Sequence, residues 1–324
     1  MREISIAVVI PVLDDWHSLS LLLPSIDRSL DDAALSVEIV VVDDGSATSF
    51  DNSLFTHSKF ENIGRLTIVE LKRNLGHQRA IAVGLAYVAA DRECDAVLVM
   101  DGDGEDDPVE ARKLIATCDD NSFNKIVFGK RSIRSEGIVF RIFYSFYRTF
   151  YKALTGKPIH FGNFSVVPRR ILVKLIVVSE VWNHYAAGIL KAHVPYTEMA
   201  TRRGKRLSGR PRMNFVSLVT HGLSAISVHG DTVGVRLLLG TCALIVLSLI
   251  GILAVVTVRF VTDLAIPGWA TYASAMLLII LMQAVTMSLF FIFLVLNNRN
   301  SAGFIPERDY ARFISSTRDI FLKG

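Results

Sequence analysis

Short apolar runs alternate with longer amphipathic stretches from residue 4 to residue 129 of the chain. The short runs are rich in Val, Ile and Leu and are bounded by Gly, Pro or Asp, which is typical of strands buried on both faces of a sheet. Because these strands alternate with helical patterns, the chain predicts a doubly wound α/β sheet with parallel strands. The predicted strands are 4–11, 37–42, 66–71, 97–100 and 125–129, and the predicted helices are 16–30 and 76–90.

Carboxylates follow three of the predicted strands at the point where each strand ends. The carboxyl ends of parallel strands meet at one edge of a doubly wound sheet, where ligands bind, so we expect these side chains to converge. Asp101 and Asp103 flank a glycine, and two oxygen ligands of this kind suit Mg²⁺ or Mn²⁺ bound to a substrate's phosphates. Taken alone, this short motif equally describes a solvated acidic turn. The three pairs are Asp14 and Asp15, Asp43 and Asp44, and Asp101 and Asp103.

Two long stretches without charge, 237–258 and 269–296, follow the predicted sheet. The first has 22 residues, which as a helix span about 33 Å and exceed a bilayer core of about 30 Å. The mean hydropathy of +0.40 is also high for a soluble domain. Arginines flank the pair on the outside, at Arg236 and Arg299, whereas the loop has Arg259 offset by Asp263. The positive-inside rule therefore places both flanking regions in the cytoplasm, and three unpaired cysteines fit a reducing compartment.

The pattern divides the chain into four expected parts. A catalytic domain is expected over 1–212, a juxtamembrane amphipathic helix over 213–234, two transmembrane helices over 235–296 and a cytoplasmic tail over 297–324. The tail is expected to return to the catalytic domain or to a second subunit, so a homo-oligomer stays open. Within the first part, 137–156 combines aromatic faces with a basic stripe, which suits either a helix in the membrane interface or a core helix with a cationic outer face.

The densest basic segment is 201–213, which places six cationic residues in eleven positions. A run of this kind can bind nucleic acid. No aromatic interleaving or nucleic-acid module accompanies it, so we expect no nucleic-acid partner. In a chain with apolar spans, a net charge of +4 points instead to anionic lipid headgroups.

Four motifs in their order resemble the family 2 glycosyltransferases of the GT-A fold. Within that family the resemblance is to polyprenyl-phosphate glycosyltransferases, the dolichol-phosphate-mannose-synthase-like and bacteriophage GtrB-like enzymes. The fold class that this implies is α/β: a Rossmann-like GT-A catalytic domain with interfacial helices and a C-terminal two-helix transmembrane hairpin. The motifs are a first strand ending in Pro11, then Asp43-Asp44-Gly45-Ser46, Arg73-Asn74-Leu75-Gly76-His77-Gln78, and Asp101-Gly102-Asp103.

The resemblance implies a role for each motif residue. The nucleotide pocket is formed by Pro11, Asp15, Asp43 and Asp44, with Arg73 and Asn74 holding the nucleotide. The metal, Mg²⁺ or Mn²⁺, is bound by Asp101 and Asp103, which are catalytic together with Arg203. The donor diphosphate and the acceptor phosphate are held by Arg203, Arg206 and Arg212, and Arg131 after the fifth strand either grips phosphate or lies in an exposed basic turn.

Three positions depart from the family pattern. The family has Tyr-Asn-Glu where this chain has Leu13-Asp14-Asp15, and often Gln where this chain has Glu105. Asn163 stands where many relatives have the Asp of a Gly-Asp-Phe segment, and an amide cannot act as a base. A phosphate acceptor is already ionised near neutral pH and needs no base, unlike a sugar hydroxyl.

The resemblance implies a membrane-anchored, inverting and metal-dependent hexosyltransferase. It moves one sugar from a nucleotide-diphosphate sugar, with UDP favoured, to polyprenyl phosphate at the cytoplasmic face of a bacterial inner membrane. A processive polysaccharide synthase is an alternative, but such an enzyme needs several helices and a Gln-x-x-Arg-Trp motif that this sequence does not contain. A non-catalytic membrane scaffold with a degenerate transferase domain is a second alternative.

Overall fold

The computed structural model describes residues 3–48, 50, 60–131, 138–157, 162–209, 215–262, 268–300 and 303–323. Within these ranges the side chains of 131, 138–146, 215–218 and 298–300 are not described. The chain forms two compact units. The first combines Met1–Arg148, Pro158–Val228 and Gly303–Gly324, and the second combines Thr149–Lys157 and His229–Ala302.

The first unit is built on an eight-stranded sheet of order β7-β5-β6-β4-β1-β2-β3-β8. Its centre, β4-β1-β2-β3, is parallel as expected. The five predicted strands run in one direction, and two strands that were not predicted run against them: β6 between β4 and β5, and β8 beside β3. The strands are β1 Ile4–Val12, β2 Leu35–Asp43, β3 Ile63–Leu71, β4 Ala96–Val99, β5 Ile126–Arg131, β6 Ser165–Pro168, β7 Tyr196–Thr201 and β8 Ile314–Leu322.

Helices of the first unit cover both faces of this sheet, since alternate residues of the central strands enter two separate apolar cores. Val9 and Val42 belong to the core beneath α2, whereas Ile10 and Val41 belong to the core beneath α1 and α3. The helices of the whole chain are α1 Trp16–Ser29, α2 His77–Asp91, α3 Pro108–Asp120, α4 Ile138–Thr155, α5 Arg169–Leu175, α6 Tyr185–Ala192, α7 Phe215–Ser227, α8 Gly230–Val261, α9 Trp269–Asn300 and α10 Pro306–Asp309.

The last strand of the chain, β8, lies within the expected tail 297–324 and belongs to the sheet of the first unit. Strand β8 pairs with β3, where Arg65 and Asp319 form two hydrogen bonds of 3.1 and 2.8 Å. Before β8, the ring of Phe304 stacks on Trp182 with centroids 3.6 Å apart. Pairing of this kind satisfies the backbone groups of β3, which an uncovered edge strand leaves open.

The second unit contains two helices that are long and apolar enough to cross a membrane, Gly230–Val261 and Trp269–Asn297. They pack on each other, and the hydroxyl oxygens of Thr241 and Ser288 lie 2.7 Å apart between them. The boundaries differ from the expected 213–234 and 235–296, because α7 ends at Ser227 and α8 already begins at Gly230.

The aromatic helix expected over 137–156 corresponds to α4, and its described side chains have different environments. Tyr147 donates a hydrogen bond to the carbonyl of Gly222 on α7. Tyr151 is fully buried, whereas Phe150 is 47% exposed. The remaining aromatic positions of the helix lie outside the described side chains.

Candidate functional site

The carboxyl ends of β1, β2 and β4 meet at one edge of the sheet, as the three acidic pairs predicted. Asp15 begins α1 directly after β1, and Asp103 lies in the turn after β4. One guanidinium touches both carboxylates: Arg206 Nη2 lies 2.8 Å from Asp15 Oδ2, and Nη1 lies 2.7 Å from Asp103 Oδ2. The predicted convergence of these two residues is therefore confirmed.

Several of the strand-end carboxylates hold loops in place. Asp14 adopts a positive φ of 44°, and its Oδ1 accepts from the backbone N–H of Thr48 at 3.0 Å. Asp43 Oδ1 accepts from the backbone N–H of Ser46 at 2.9 Å. These bonds fix the loop after β2 against the end of β1.

Both carboxylate oxygens of Asp44 accept hydrogen bonds. They accept from the backbone N–H groups of Leu75 and Gly76, at 2.7 and 2.9 Å. Burial raises the pKa of Asp44, and the two backbone hydrogen bonds oppose that rise. The structure therefore makes Asp44 the anchor of the loop that carries Arg73 and Asn74, and its assignment to the nucleotide pocket stays a prediction.

The remaining nucleotide-pocket positions differ in exposure. Pro11 is buried within β1, next to Val42 of β2. Arg73 and Asn74 are exposed in the loop between β3 and α2. The Arg131 side chain and Arg212 lie outside the described part of the chain, so their assignments stay predictions.

The acidic turn after β4 is held by its own side chains. Asp106 Oδ2 accepts from the backbone N–H of Asp101 at 3.0 Å, and Asp103 Oδ1 accepts from that of Glu105 at 2.9 Å. Burial raises the pKa of Asp103, and the negative charge of Asp101 adds to the rise while Arg206 opposes it. The carboxylates of Asp106 and Asp103 are thereby fixed within the turn.

The basic segment after β7 lies on this acidic turn. The backbone N–H of Gly204 donates to Glu105 O, and that of Leu207 donates to Asp103 O, both at 2.9 Å. Two glycines allow the contact, since a Cβ on Gly204 would lie 2.3 Å from the carbonyl oxygen of Gly104, which itself has a φ of +83°. The close approach of the basic segment to the acidic turn brings Arg206 to the carboxylates of Asp15 and Asp103.

Arg203, whose catalytic role stays a prediction, is paired with an acidic side chain of the turn. Its guanidinium bonds to Glu105 Oε2 through Nε at 3.0 Å and Nη2 at 2.5 Å. Arg203 is therefore paired with Glu105, the acidic residue that departs from the family pattern. This ion pair offsets the additional negative charge that Glu105 brings to the turn.

Sequence reasoning assigned no role to His77, although it lies in one of the motifs. His77 is the first residue of α2, and its Nε2 lies 3.1 Å from Asp101 Oδ1. Burial lowers the pKa of His77, but attraction to Asp101 outweighs this, so the net pKa lies above its usual value. Its place in the Arg73-to-Gln78 motif, at the predicted start of a helix, was the available signal.

A second group of side chains lies beside α6. His184 is buried and accepts at Nδ1 from the backbone N–H of Ala187, at 3.3 Å. Burial, and secondarily His221 of α7, lowers the pKa of His184 to about 3. The adjacent Trp182 carries the guanidinium of Arg79 over its ring, 5.2 Å from the centroid. Sequence reasoning assigned no role to these residues.

The donor set fits a hard divalent ion that keeps phosphate ligands. Asp101 and Asp103 supply carboxylate oxygens, which Mg²⁺ and Mn²⁺ prefer. Among the residues that the structure describes, no group of three or more His, Cys, Asp and Glu side chains is placed to hold a metal by itself. Ions bound through one or two carboxylates plus substrate phosphates need no such cage.

A family model and a bacterial relative both match this chain. A family model described as Glycosyl transferase family 2 matches residues 7–175. The uncharacterized glycosyltransferase YkcC of Bacillus subtilis (strain 168) is 24% identical over 280 residues, covering 83% of this chain and 82% of the relative.

Solved structures share the fold. Glucosyl-3-phosphoglycerate synthase from Mycobacterium tuberculosis, in complex with Mn²⁺, UDP-glucose and phosphoglyceric acid, has a TM-score of 0.50 at 16% identity, over 71% of this chain and 80% of its own. Mannosyl-3-phosphoglycerate synthase from Rubrobacter xylanophilus has a TM-score of 0.47 at 15% identity, over 69% and 72%. The first likeness and the family match confirm the expected GT-A fold.

Proposed function

The chain belongs to glycosyl transferase family 2, and on that basis we propose that it moves one sugar from a nucleotide-diphosphate sugar to polyprenyl phosphate. The products are a polyprenyl-phosphate-linked monosaccharide and the free nucleotide diphosphate. A UDP-sugar is the favoured donor, because a two-helix hairpin follows the transferase domain as in the GtrB-like enzymes. Helices α8 and α9 anchor the enzyme in a bacterial inner membrane, with the catalytic domain in the cytoplasm.

One observation carries this proposal: the basic segment 202–207 is docked on the acidic turn 103–106, and Arg206 lies between Asp15 and Asp103. The fork of a guanidinium matches phosphate oxygens as well as carboxylates. An anionic donor that enters this edge of the sheet therefore meets a fixed cation beside the carboxylates. In sequence, this segment precedes the first apolar helix by about twenty residues, so a lipid phosphate at headgroup depth is an acceptor within its reach.

Transfer proceeds as an in-line displacement with inversion. An oxygen of the acceptor phosphate attacks the anomeric carbon, while the bond from that carbon to the diphosphate oxygen breaks. Asp101 and Asp103 would hold a divalent ion, which would supply positive charge to stabilise the leaving diphosphate. Arg206 offsets the repulsion between two anionic reactants, and a fixed geometry for both supplies much of the remaining rate.

No side chain has to remove a proton in this reaction. The acceptor phosphate is already ionised near neutral pH, whereas a sugar hydroxyl needs a general base. Asn163, which lies beside His77 at this edge, is an amide and cannot serve as that base. This chemistry favours a phosphate acceptor over a sugar acceptor.

A product assay tests the proposal. The full chain in detergent is given polyprenyl phosphate, Mg²⁺ or Mn²⁺ and a panel of UDP- and GDP-sugars, while nucleotide release and lipid mass are both measured. We expect a lipid heavier by one sugar, formed only with metal and lost in Asp103→Ala.

The other outcomes separate the alternatives. Release of nucleotide without a lipid product would show that the acceptor is wrong, and a product that grows by several sugars would indicate a processive synthase. A folded protein that turns over no donor would contradict the proposal that the chain is an enzyme. It would favour the alternative of a non-catalytic membrane scaffold.

A further inference from the structure

Helix α7 carries a single ionisable side chain, His221. From Phe215 to Ser227 its sequence is Phe-Val-Ser-Leu-Val-Thr-His-Gly-Leu-Ser-Ala-Ile-Ser, which contains no Asp, Glu, Lys or Arg. Neither the sequence motifs nor the proposed reaction assigns a role to this histidine. An imidazole on an otherwise uncharged helix needs a polar partner, because its burial without one is unfavourable.

Two contacts at adjacent positions hold this part of α7 in place. The ring of His221 lies on that of His184, with centroids 4.5 Å apart and planes at 37°. The carbonyl of Gly222 accepts a hydrogen bond from Tyr147 Oη of α4 at 3.2 Å, and a Cβ on Gly222 would lie 2.9 Å from the Tyr147 ring. Helix α7 is therefore held between α4 and the start of α6, and the imidazole of His221 has a fixed place.

Both imidazoles of this stacked pair are neutral near pH 7. His184 accepts at Nδ1 from the backbone N–H of Ala187, which places its ring proton on Nε2. Burial lowers the pKa of His221, and His77 lowers it further, while attraction by Asp101 opposes both. A neutral imidazole has one N–H donor and one lone pair. Because His221 is only half-buried, a ligand can reach that donor.

His221 and Arg206 reach the acidic turn through different residues. The charges that act on His221 are those of His77 and Asp101, whereas Arg206 contacts Asp15 and Asp103. In an in-line displacement the attacking oxygen and the leaving oxygen lie on opposite sides of the anomeric carbon. The place of Arg206 suits the leaving diphosphate, so the place of His221 suits the acceptor.

Helix α7 also leads directly to the first apolar helix. It ends at Ser227, and α8 begins at Gly230. Two positions after His221, the side chain of Leu223 is 58% exposed, so α7 presents apolar surface as well as an imidazole. A prenyl phosphate combines an apolar chain with an anionic head, and α7 offers a partner of matching character to each.

We propose that His221 is an acceptor-binding residue whose ring N–H donates a hydrogen bond to an oxygen of the prenyl phosphate. The inference rests on the proposed function, because polyprenyl phosphate is the acceptor proposed there. Stacking on His184 fixes the direction of the donor, and another oxygen of the same phosphate stays available to attack the anomeric carbon. His221 transfers no proton in this role.

Equilibrium binding tests this inference without measuring turnover. The full chain in detergent, with UDP and Mg²⁺ present, is titrated with a short-chain prenyl phosphate and with the matching prenol, which lacks the phosphate. Loss of one hydrogen bond to a charged group lowers affinity by about 10- to 100-fold. We therefore expect His221→Ala to weaken binding of the phosphate by this factor and to leave binding of the prenol unchanged.

The neighbouring Thr220 provides a matched control on the same helix. Its side chain is exposed, and the hydrogen bond that it receives from Ser224 Oγ ends on its backbone carbonyl. Thr220→Ala should therefore keep the affinity of the wild type for both ligands. Melting temperatures of the variants establish that each one is folded before affinities are compared.

Two further variants test whether His221 acts as a donor. The amide nitrogen of Asn stands close to the position of Nδ1 in histidine, and that of Gln stands close to Nε2. Either His221→Asn or His221→Gln should therefore recover part of the affinity for the prenyl phosphate, according to which ring nitrogen donates. Affinities as low as that of His221→Ala in both variants would contradict the donor role.

The binding data distinguish this inference from the proposed function. Wild-type protein that prefers the phosphate to the prenol, together with an equal preference in His221→Ala, would overturn the role of His221 and leave the proposed acceptor intact. Wild-type protein that binds the prenyl phosphate no better than the prenol would overturn both the role of His221 and the phosphate acceptor.

Discussion

At the scale of single residues, Arg206 joins parts of the site that are far apart in sequence. Its guanidinium contacts Asp15 and Asp103, and its Nε donates to the carbonyl of Ser208 at 2.9 Å. We expect Arg206→Ala to lower kcat/KM by about 10²–10³, the usual cost of one lost donor to a developing negative charge. Arg206→Lys should recover only part of the activity, because an ammonium lacks the planar fork.

The measurement for Arg206 is steady-state turnover with saturating lipid acceptor, together with the melting temperature of each variant. Arg112 offers a matched control, since it forms a single exposed contact of 3.3 Å with Asp32. Arg112→Ala should change neither turnover nor melting temperature appreciably. Full activity in Arg206→Ala would contradict a role for this residue in the reaction.

His184 predicts a pH dependence of stability. Its pKa is lowered to about 3 in the folded protein, chiefly by burial, against 6.5 when unperturbed. The unfolded chain therefore binds the proton more readily, and the free energy of unfolding falls as the pH drops from about 6.5 toward about 3. The slope attributable to this group reaches about 1.4 kcal/mol per pH unit.

Replacement by asparagine isolates that effect. His184→Asn keeps a side chain that can cap α6 but cannot be protonated, so its stability should fall less with acid than that of the wild type. The melting temperature of both proteins between about pH 4 and pH 7 is the measurement. Parallel curves for the two proteins would show that His184 does not titrate on unfolding.

The sequence could predict only some of these residue roles. The convergence of Asp15 and Asp103 follows from the register of parallel strands, which fixes where their ends meet. The anchoring role of Asp44 could not be predicted, because its partners are backbone N–H groups 31 and 32 residues away in a loop without a pattern. The pairing of Arg203 with Glu105 likewise depends on how two loops approach each other.

At the scale of elements, α2 positions the site by lying very close to the sheet. A Cβ on Gly84 would lie 2.6 Å from Cγ1 of Val9 and 2.8 Å from Cγ2 of Val42, and both valines are fully buried. Overpacking a dense core costs about 1–3 kcal/mol, which exceeds the gain in helix propensity of up to about 1 kcal/mol. We therefore expect Gly84→Ala to destabilise the protein.

The same change should weaken nucleotide and metal binding, because α2 begins with His77, whose Nε2 lies 3.1 Å from Asp101 Oδ1. Melting temperature and Mn²⁺ affinity are the two measurements. Gly240 on α8 is a matched control, since a Cβ there meets nothing within 4 Å, and Gly240→Ala should lower neither value. An undisturbed melting temperature in Gly84→Ala would mean that α2 can move away from the sheet at little cost.

Some strands could be predicted from the sequence and others could not. The five apolar runs are strands because continuous Val, Ile and Leu residues are buried on both faces. Strand β8 has the mixed sequence Ile-Ser-Ser-Thr-Arg-Asp-Ile-Phe-Leu, and its pairing depends on the free edge of β3, which no local pattern reveals. Strand β6 has only four residues, too few for a periodicity that would separate it from a loop.

At the scale of the whole molecule, the first unit is discontinuous in sequence. It resumes at Gly303 after the two apolar helices, and β8 then completes its sheet. A chain that stops at Val228 therefore lacks β8 and exposes the edge of β3, which favours aggregation. We expect that fragment to aggregate. Replacing 229–302 with about 20 Gly and Ser residues, whose ends average about 25 Å apart, should give a soluble domain that binds nucleotide.

This linker variant separates the catalytic activity of the first unit from the contribution of membrane anchoring by α8 and α9. If α8 and α9 act only by raising the effective concentration of enzyme near the lipid, the variant should lose most turnover with polyprenyl phosphate in vesicles. Its turnover of a short-chain, water-soluble prenyl phosphate should nevertheless equal that of the full chain within about twofold. Membrane anchoring changes how often enzyme and lipid meet, but it does not change the reacting groups. Size-exclusion chromatography establishes that the variant is monodisperse before turnover is compared. Loss of turnover on both acceptors in a monodisperse variant would show that the apolar helices contribute to the catalytic site itself.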